Sequence, residues 1–452
     1  MATRAEPAND IAIVAFGETA VGLRTGRSSY DLAAEVVEEI LTATGLDLGD
    51  IDGLSVGETM SETSNPFWAI YMCEQLGLSP TWLQLNGLGG ASTIGGVTRA
   101  AAAIRDGQCN TVLVLASDAQ SSSPPTEYGA HRPEFQYPTG LKGPVGSFGL
   151  LTRRYMHQYG NPDQALAKLA VTQRRHALLN PNGCEKLRKP ITEQDYLDSK
   201  MVSEPLRMLD SVMVCDGANG LLVTSTDNAR KLDLDVIAYP TGYGELTNVN
   251  GRQQLPDITE TGFTVAGPRA LRQAGLTPDD IRMLHLYDDF LIALLLTIEQ
   301  VGFCPTGDGV KFVLDTDFGY DGELPLNTSG GQISAGQPGL AGGGLNAVEA
   351  VRQLAGQAGE RQDTNTNEPS ATRSNGAPDP KDESTTSNAA TAGTAPNSPV
   401  STVPEPGADT ASSPTTWSRS VHWPREEPPG KTTLEETHRT RTRSPQPTIF
   451  QV

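Results

Sequence analysis

One pattern of apolar and polar residues occurs twice along the chain. The stretch TGLDLGDID from Thr44 to Asp52 recurs as AGLTPDDIR from Ala274 to Arg282. In each copy an amphipathic helix precedes the stretch and a short apolar run follows it, GLSVGE in the first copy and MLHLYD in the second. Apolar residues at helical spacing, followed by an apolar run of strand length, are typical of an α/β unit. The pattern therefore predicts two related α/β halves in one chain.

The two copies continue alike and then differ. A glycine-rich stretch leads into a helix in each half, with GGASTIGG from Gly89 and LNAVEAVRQLAG from Leu345. In the first half the buried strand NTVLVLASD follows. In the second half the chain changes from about Gln357 into Ser, Thr, Pro, Asn and charged residues, which bury too little apolar surface to offset the entropy of ordering. We predict a first half over 8–228, a second half over 229–356 without its last strands, and a disordered tail over 357–452.

A long segment interrupts the first half. Residues 119–205 separate the strand that ends at Asp118 from the strand in VMVCDGANGLLVTST, and they include an irregular stretch followed by two predicted helices. This segment is too long and too apolar for a plain connection. We interpret it as a loop subdomain that covers a site.

Charge and composition narrow the classes of function. The 452 residues carry a formal net charge of -20, which argues against nucleic acid as a partner. The sequence has no apolar run long enough to span a membrane and no charged-then-apolar leader, so a cytoplasmic protein is predicted. The five cysteines lack the spacing of a zinc site or of a disulfide framework, so no bound metal is expected and the thiols are predicted to be structural.

Three motifs carry a resemblance to a known family. The run RRHALLNPNGCEKLRKPITEQDYLDSKMVSEPLRMLDSVMVCDGANG begins at Arg174, LYDDF ends at Phe290, and NTSGGQISAGQPGL begins at Asn327. Together they resemble the thiolase superfamily, and within it the lipid-transfer-protein (sterol carrier) thiolase branch, over about residues 8–356. The resemblance implies a five-layered αβαβα arrangement of two stacked halves, a homodimer and an acyl-CoA substrate.

The resemblance also bears on the tail. Family members continue with a hydrophobic strand where this chain turns polar. The tail is therefore either a natural disordered extension or the product of a reading-frame slip after the sequence GERQ (359–362), and we favour the slip.

The sequence departs from the family wherever the family keeps a catalytic residue. A thiolase uses a Cys nucleophile at a helix N-terminus, a His in an HDxF box, a His in a GHP loop and a second Cys in a late CxG loop. By resemblance, the nucleophile position falls at Gly90, the HDxF histidine at Tyr287 and the GHP histidine at Gln337. The CxG loop would lie in the segment that the tail replaces. A covalent thioester route therefore lacks its nucleophile.

A different set of polar groups occupies these positions. Tyr287 and Asp288 stand where a strand is predicted to end, which is where ligands bind in open α/β folds. A phenol, with a pKa of about 10, acts as a general acid or base when a neighbouring dipole or charge shifts it. Tyr287, Asp288 and Gln337 form the predicted catalytic set. Donors for an oxyanion are predicted in Gly90, Asn327, Ser329, Gly330 and Gly331.

Each candidate has a purely structural alternative. Tyr287 is also explained as a core ring with a bonded hydroxyl. Asp288 is also explained as a helix N-cap, and Gln337 as part of a turn between glycine and proline. His176 has no partner at metal-ligand spacing and is predicted to lie at the surface.

The chain further resembles a Cys-less subgroup of this branch whose box also carries a tyrosine. Members of that subgroup work with a small OB-fold, zinc-binding acyl-CoA partner and cleave a steroid side-chain thioester by a retro-aldol reaction. Gln337 departs from the subgroup, which has a second tyrosine there. We predict that the protein makes or breaks a carbon–carbon bond next to a CoA thioester without a Cys nucleophile or a bound cofactor, with Tyr287 as proton shuttle. An acyl-CoA acetyltransferase and a non-catalytic acyl-CoA-binding subunit are the alternatives.

Overall fold

The structure, a computed structural model, describes residues 9–124, 133–141, 143–247 and 257–363. Its strands are β1 (Ile11–Glu18), β2 (Gly53–Gly57), β3 (Trp82–Asn86), β4 (Thr111–Asp118), β5 (Met201–Ser203), β6 (Leu206–Arg207), β7 (Val214–Cys215), β8 (Gly217–Ser225) and β9 (Gln337–Pro338). Its α-helices are α1 (Ser29–Thr44), α2 (Trp68–Leu76), α3 (Ser92–Arg105), α4 (Pro133–Gln136), α5 (Gly143–Tyr159), α6 (Asp163–Leu179), α7 (Glu193–Leu197), α8 (Thr226–Lys231), α9 (Phe263–Ala274), α10 (Leu291–Val301), α11 (Gly309–Asp315), α12 (Gly331–Ala335) and α13 (Gly342–Ala355).

A five-stranded mixed sheet lies at the centre of the first half. Its strand order is β1-β8-β4-β2-β3, with β2 parallel to both β3 and β4 and with β8 antiparallel to both β1 and β4. Alternate residues of a strand face opposite sides, so each strand serves two cores. Leu113 and Leu115 of β4 pack with α1 and α2, whereas Val112 and Val114 pack with α3 and α13. The result is a sheet between two helical layers, with α13 of the second half in the layer beside α3.

The duplication predicted from the sequence is confirmed in the structure, because the two copies of the repeat have the same helix C-cap and the same capping box. Helix α1 ends at Gly45 and α9 ends at Gly275, each in the left-handed conformation that glycine adopts without strain. A short 3₁₀ turn follows in both copies. Asp50 closes a capping box in the first copy and Asp280 does so in the second.

The second half does not repeat the sheet within the described residues. The predicted strand from Met283 is wrong there, because it forms only the isolated bridge of Leu284 with Leu326. The extended segment around Ala238 likewise makes only one bridge, with Ile13. In the first half, β4 and β8 lie inside the sheet and β2 and β1 pair with them. Their counterparts would follow α13 in the chain. The described residues after α13 contain no such strands, so the outer segments make only isolated bridges there.

Residues 357–363, the beginning of the predicted tail, are described and tied to the fold. Arg361, only 4% exposed, binds the buried Glu349 of α13 at 2.9 Å. Residues 1–8 and 364–452 lie outside the described residues. Most of the tail for which disorder and a frame slip are predicted is therefore outside them as well. Among the described residues, no helix combines the length and the apolar character that crossing a membrane requires.

The long signature motif of the inserted segment is structural. The Tyr196 hydroxyl donates to Asp210 at 2.6 Å, and Arg207 makes a two-point ion pair with Asp163 at 3.0 and 3.1 Å. Burial raises the pKa of Asp210 to about 6. These contacts connect α6, α7 and the turn after β6. They give a structural explanation, without a catalytic role, for two parts of the motif, DY (195–196) and PLRMLD (205–210). Four of the five cysteines are buried and the fifth, Cys304, is half-buried, in agreement with structural thiols.

Candidate active site

The Tyr287 ring occupies the space directly over Gly90. A Cβ atom at position 90 would lie 2.6 Å from Cζ of Tyr287 and closer still to its hydroxyl oxygen and Cε2, distances that carbon atoms do not adopt. A cysteine at position 90 therefore has no room while Tyr287 keeps its place. The phenol of Tyr287 stands where the side chain of a nucleophile at position 90 would project.

Two helix N-termini flank this phenol. Gly90 lies in a short 3₁₀ turn, Gly89–Ala91, that runs directly into α3. Gly343, in the first turn of α13, is the second neighbour, because a Cβ there would lie 3.2 Å from Cε2 of Tyr287 and would overlap the Gly90 carbonyl. Helix N-termini carry unpaired N–H groups and a partial positive charge. The site therefore favours negative charge on Tyr287 or on a ligand next to it.

Gln337 is the polar side chain that reaches the phenol. Its Nε2 donates to the Tyr287 hydroxyl oxygen at 3.4 Å and to Oε1 of Gln332 at 3.1 Å. The Gln337 backbone N–H donates to the Met213 carbonyl at 3.0 Å, and β9 pairs with β7 in parallel. The sequence thus placed Tyr287, Gln337 and Gly90 in one site, and the structure brings these three together.

Asp288 faces away from the phenol and holds α12. Its carboxylate is fully buried and accepts from the backbone N–H groups of Gln332 (3.0 Å) and Ile333 (3.2 Å) and from the side-chain amide of Asn346 (3.1 Å). Burial raises the pKa of Asp288 to about 6, although these donors oppose the rise. Its contacts are those of a cap for α12. The structural alternative from the sequence, a cap for the helix that follows Asp288, is wrong, because α10 has Phe290 at its N-cap and no side-chain cap hydrogen bond.

The loop before α12 positions Tyr287 through hydrogen bonds to the residue before it. Asn327, fully buried, exchanges two hydrogen bonds with the Leu286 backbone at 2.8 and 2.9 Å and donates a third to Gln173. Ser329 accepts from the Gly331 N–H at 3.3 Å, and the Gly330 N–H donates to the Asn327 carbonyl. The polar groups of these four predicted oxyanion residues that are named here thus bond to other parts of the protein or to each other.

Glycine is required in this loop because of close contacts. Gly330 and Gly331 both have positive φ values, 96° and 58°. A Cβ at Gly331 would overlap the Asp288 carboxylate and lie 2.5 Å from Oε1 of Gln173. The glycine pair therefore lets the Asp288 side chain reach the first N–H groups of α12.

Three polar residues of the site were not identified from the sequence. Gln332 contacts Gln337, Asn346 donates to the Leu286 carbonyl at 2.7 Å as well as to Asp288, and Asp118 accepts from the Leu340 N–H at 3.0 Å. Asn346 shares one face of α13 with Glu349 and Gln353, and polar residues at this helical spacing in a helix with many apolar residues are a signal that could have drawn attention to it. Asp118 ends β4 and also accepts from the backbone N–H groups of Met60 and Ser61 at 2.7 and 3.1 Å.

Two buried histidines lie beneath the loop. His176 was predicted at the surface, and this is wrong, because it is fully buried and its Nδ1 lies 3.3 Å from the Asn327 carbonyl. Burial lowers the pKa of His176 and of His285 to about 4 each. Both rings are therefore neutral at pH 7. The pattern failed for His176 because α6 is covered on more than one side, by α7, α11 and α12.

The fold and the site together define an α/β protein with a polar site at the N-termini of two central helices. The match to the family "Thiolase, N-terminal domain" covers residues 11–227, and the match to "Thiolase C-terminal domain-like" covers residues 244–378. The chain belongs to the thiolase superfamily. This confirms the predicted family and the thiolase-like α/β fold.

Individual relatives agree with this assignment. The chain is 32% identical over 365 residues to 17-hydroxy-3-oxo-4-pregnene-20-carboxyl-CoA lyase of Mycobacterium tuberculosis, covering 76% of this chain and 91% of that protein. It is 27% identical over 360 residues to an acetyl-CoA acetyltransferase of Methanothermobacter thermautotrophicus, covering 78% and 93%. A solved structure described as Ltp2-ChsH2(DUF35) aldolase superposes with a TM-score of 0.70 at 30% identity, covering 79% of this chain and 93% of that chain. The chain is thus related to acyl-CoA lyases and acyltransferases.

Proposed function

We propose that the protein cleaves a carbon–carbon bond in β-hydroxyacyl-CoA thioesters by a retro-aldol reaction, with Tyr287 as the proton shuttle. The observation that carries this proposal is the packing of the Tyr287 phenol onto Gly90. A proton-transfer group thereby replaces the nucleophile at the position where a thiolase attacks its substrate. The lyase and aldolase among the relatives support the same reaction.

The reaction balances with one proton carrier. The Tyr287 oxygen, as phenolate, removes the proton of the substrate's β-hydroxyl group, and the electron pair of that O–H bond forms a carbonyl. The Cα–Cβ bond breaks and its electrons form the enolate of the shortened thioester. Tyr287 then returns its proton to Cα. Gln337 and the N-termini of α3 and α13 stabilise negative charge on the phenolate and on the enolate oxygen.

The first test compares substrates and one hydroxyl group. The protein is assayed with β-hydroxyacyl-CoA and β-ketoacyl-CoA thioesters, a steroid side-chain thioester included, with and without free CoA. We expect cleavage of the β-hydroxy esters without added CoA, and a loss of at least about 100-fold in kcat for Tyr287→Phe. Tyr196→Phe is the control, because it removes a buried hydroxyl that binds Asp210 and should lower stability while kcat is retained.

Other outcomes would replace the proposal. Cleavage of β-keto esters only with free CoA would identify an acetyltransferase with another nucleophile. Silence towards both esters by a folded protein, with thioester binding retained, would identify a non-catalytic subunit. Full activity of Tyr287→Phe would exclude Tyr287 as the proton shuttle.

We also propose that the protein forms a homodimer through the sheet edge at β3, which pairs with no further strand among the described residues. The edge strand β3 exposes Leu83 and Leu85 by 38% and 42%, and the neighbouring α2 region exposes Phe67, Ile70 and Tyr71. An edge strand with unpaired backbone groups and an apolar surface beside it favours pairing with another chain. A second copy of this chain presents a surface of the same chemistry.

A DUF35-type partner is the third part of the proposal. Its support is the related aldolase structure, whose description names a DUF35 component beside the thiolase-like chain. Co-expression with a DUF35 protein encoded beside this chain, followed by size-exclusion chromatography, tests it. Co-elution with a rise in thioester cleavage is expected, whereas separate elution and unchanged cleavage would remove the partner from the proposal.

A further inference from the structure

Two glutamines connect Tyr287 to its own neighbour in the chain, Asp288, through hydrogen bonds. Gln337 Nε2 donates to the Tyr287 hydroxyl oxygen, and the same Nε2 donates to Oε1 of Gln332. The Gln332 backbone N–H donates to Asp288, the residue after Tyr287. This hydrogen-bond circuit therefore runs from Tyr287 through Gln337 and Gln332 to Asp288, the next residue in the sequence.

The chemistry of an amide gives this circuit a direction. A glutamine NH₂ group has two N–H donors, and in Gln337 one is used on Gln332 and the other on Tyr287. If the Gln337 amide turned over, its carbonyl oxygen would face Oε1 of Gln332, and two acceptors would oppose each other. The Gln332 oxygen thus keeps an N–H of Gln337 directed at the phenol, the orientation that suits a phenolate.

Gln332 itself is held from several sides. Its side chain is fully buried, and a Cβ at Gly342 would overlap its Oε1, so only glycine leaves space for this amide. Its backbone is fixed by the hydrogen bond to Asp288. The side-chain oxygen of Gln332 accepts from Gln337 Nε2 at 3.1 Å, and this contact sets which end of the Gln332 amide faces Gln337.

We infer that Gln332 is a positioning residue that orients the Gln337 amide so that its N–H stabilises the anionic form of Tyr287. The inference rests on the proposed function, in which Tyr287 takes a proton and returns it. Gln332 touches no reacting atom in this scheme. It acts only through Gln337.

The test measures the ionisation of Tyr287 directly. The full-length protein is labelled with ¹³Cζ-tyrosine, its NMR signals are titrated with pH, and the signal of Tyr287 is assigned by its absence in Tyr287→Phe. We expect Gln332→Met and Gln337→Met each to raise the titration midpoint by roughly one pH unit, the effect of one lost hydrogen bond to a charged oxygen. The double variant should shift no further than Gln337→Met alone, because both changes remove the same interaction.

Controls separate orientation from general damage. Gln300→Met removes a buried amide that binds Thr259 and Thr261 instead, and it should leave the midpoint unchanged. If Gln332→Met does not fold, Gln332→Asn withdraws the same oxygen with a smaller change. An unchanged midpoint in the Gln332 variant, or additive shifts in the double variant, would overturn the inference.

The inference and the proposed function fail separately. The titration needs no substrate, so it reports on Gln332 even if no thioester is cleaved. If cleavage occurs, the Gln332 variant should lower kcat while KM is retained, and the acid side of its pH profile should move to higher pH together with the NMR midpoint. A shift of the pH profile without a shift of the NMR midpoint, or the reverse, would contradict a role of Gln332 through Tyr287.

Discussion

At the scale of residues, the Tyr287 ring occupies the space that a side chain at position 90 would need, so the tyrosine and the glycine depend on each other. The phenol needs the absence of a side chain at position 90, and Gly343 leaves similar space from the opposite side. Resemblance of motifs identified Tyr287, Gly90 and Gln337 from the sequence. It missed Gln332 and Asn346, because a buried amide shows its role only through the partner it meets across the fold.

Adding one methyl group at Gly90 should disable the site. Gly90→Ala places a carbon inside the contact distance of the Tyr287 ring, so we expect a loss of about 2 kcal/mol in the free energy of unfolding and a large fall in kcat. Urea unfolding and the thioester assay measure the two effects. In Gly90→Ala/Tyr287→Ala the stability loss should be smaller than the sum of the two single losses, and simple additivity would argue against the shared volume.

Asp288 should make stability fall as pH rises. Its pKa of about 6 in the fold lies above the unfolded value of about 3.9, so between pH 4 and pH 6 the folded protein holds a proton that the unfolded chain has released. The contribution of Asp288 is therefore most favourable below pH 4 and decreases by about 3 kcal/mol as pH rises through 6.

The test of that sign is a comparison with Asp288→Asn. The variant lacks the titrating group, so the stability of the wild-type protein minus that of the variant should decrease between pH 4 and pH 7. Other groups, including Asp210, contribute to both proteins and cancel. A difference that stays constant with pH would show that Asp288 does not titrate as described.

At the scale of elements, α13 serves both the site and the end of the described chain. Its first turn approaches Gly90, and its Glu349 lies fully buried between Thr328, Arg352 and Arg361. Burial opposes the ionisation of Glu349, but the two arginines outweigh it and lower its pKa to about 2. Thr328 stands beside Asn327, so this ion network supports the loop that holds Tyr287.

Removing one member of the network should be costly. Arg361→Ala leaves Glu349 buried with one fewer counter-charge, and we expect a loss of about 3 to 5 kcal/mol in the free energy of unfolding. Arg153→Ala, which breaks the exposed ion pair with Glu204, is the matched control and should change stability little. Urea unfolding of both variants measures the contrast, and equal small losses would mean that residues 357–363 are not anchored by this pair.

Elements differed in how well the sequence predicted them. Helix α1 and strand β4 matched their predicted positions, because local periodicity and caps determine such elements. The segment around Leu284 was predicted as a strand and forms a single bridge only. A strand depends on neighbours that a local pattern does not contain, and here the neighbours would be the strands that follow α13.

At the scale of the whole molecule, the sheet edge at β3 should determine the oligomeric state. Leu85→Lys places a charge on the exposed apolar edge, which opposes edge-to-edge pairing. Sedimentation velocity should show a dimer for the wild-type protein and a monomer for the variant. Leu314→Lys, an equally exposed leucine on α11, is the control and should leave the dimer intact. A wild-type monomer would exclude this interface.

The position of the phenol over Gly90 also has a consequence for which inhibitors act on the protein. A retro-aldol reaction of the proposed kind uses no cysteine thiolate that an electrophile could alkylate. The five thiols of this chain are buried or half-buried. Iodoacetamide inactivates a cysteine-dependent thiolase by alkylating its nucleophile, and it should therefore leave the activity of this protein unchanged. In a mixed extract treated with iodoacetamide, the thioester cleavage that remains would then be that of this protein.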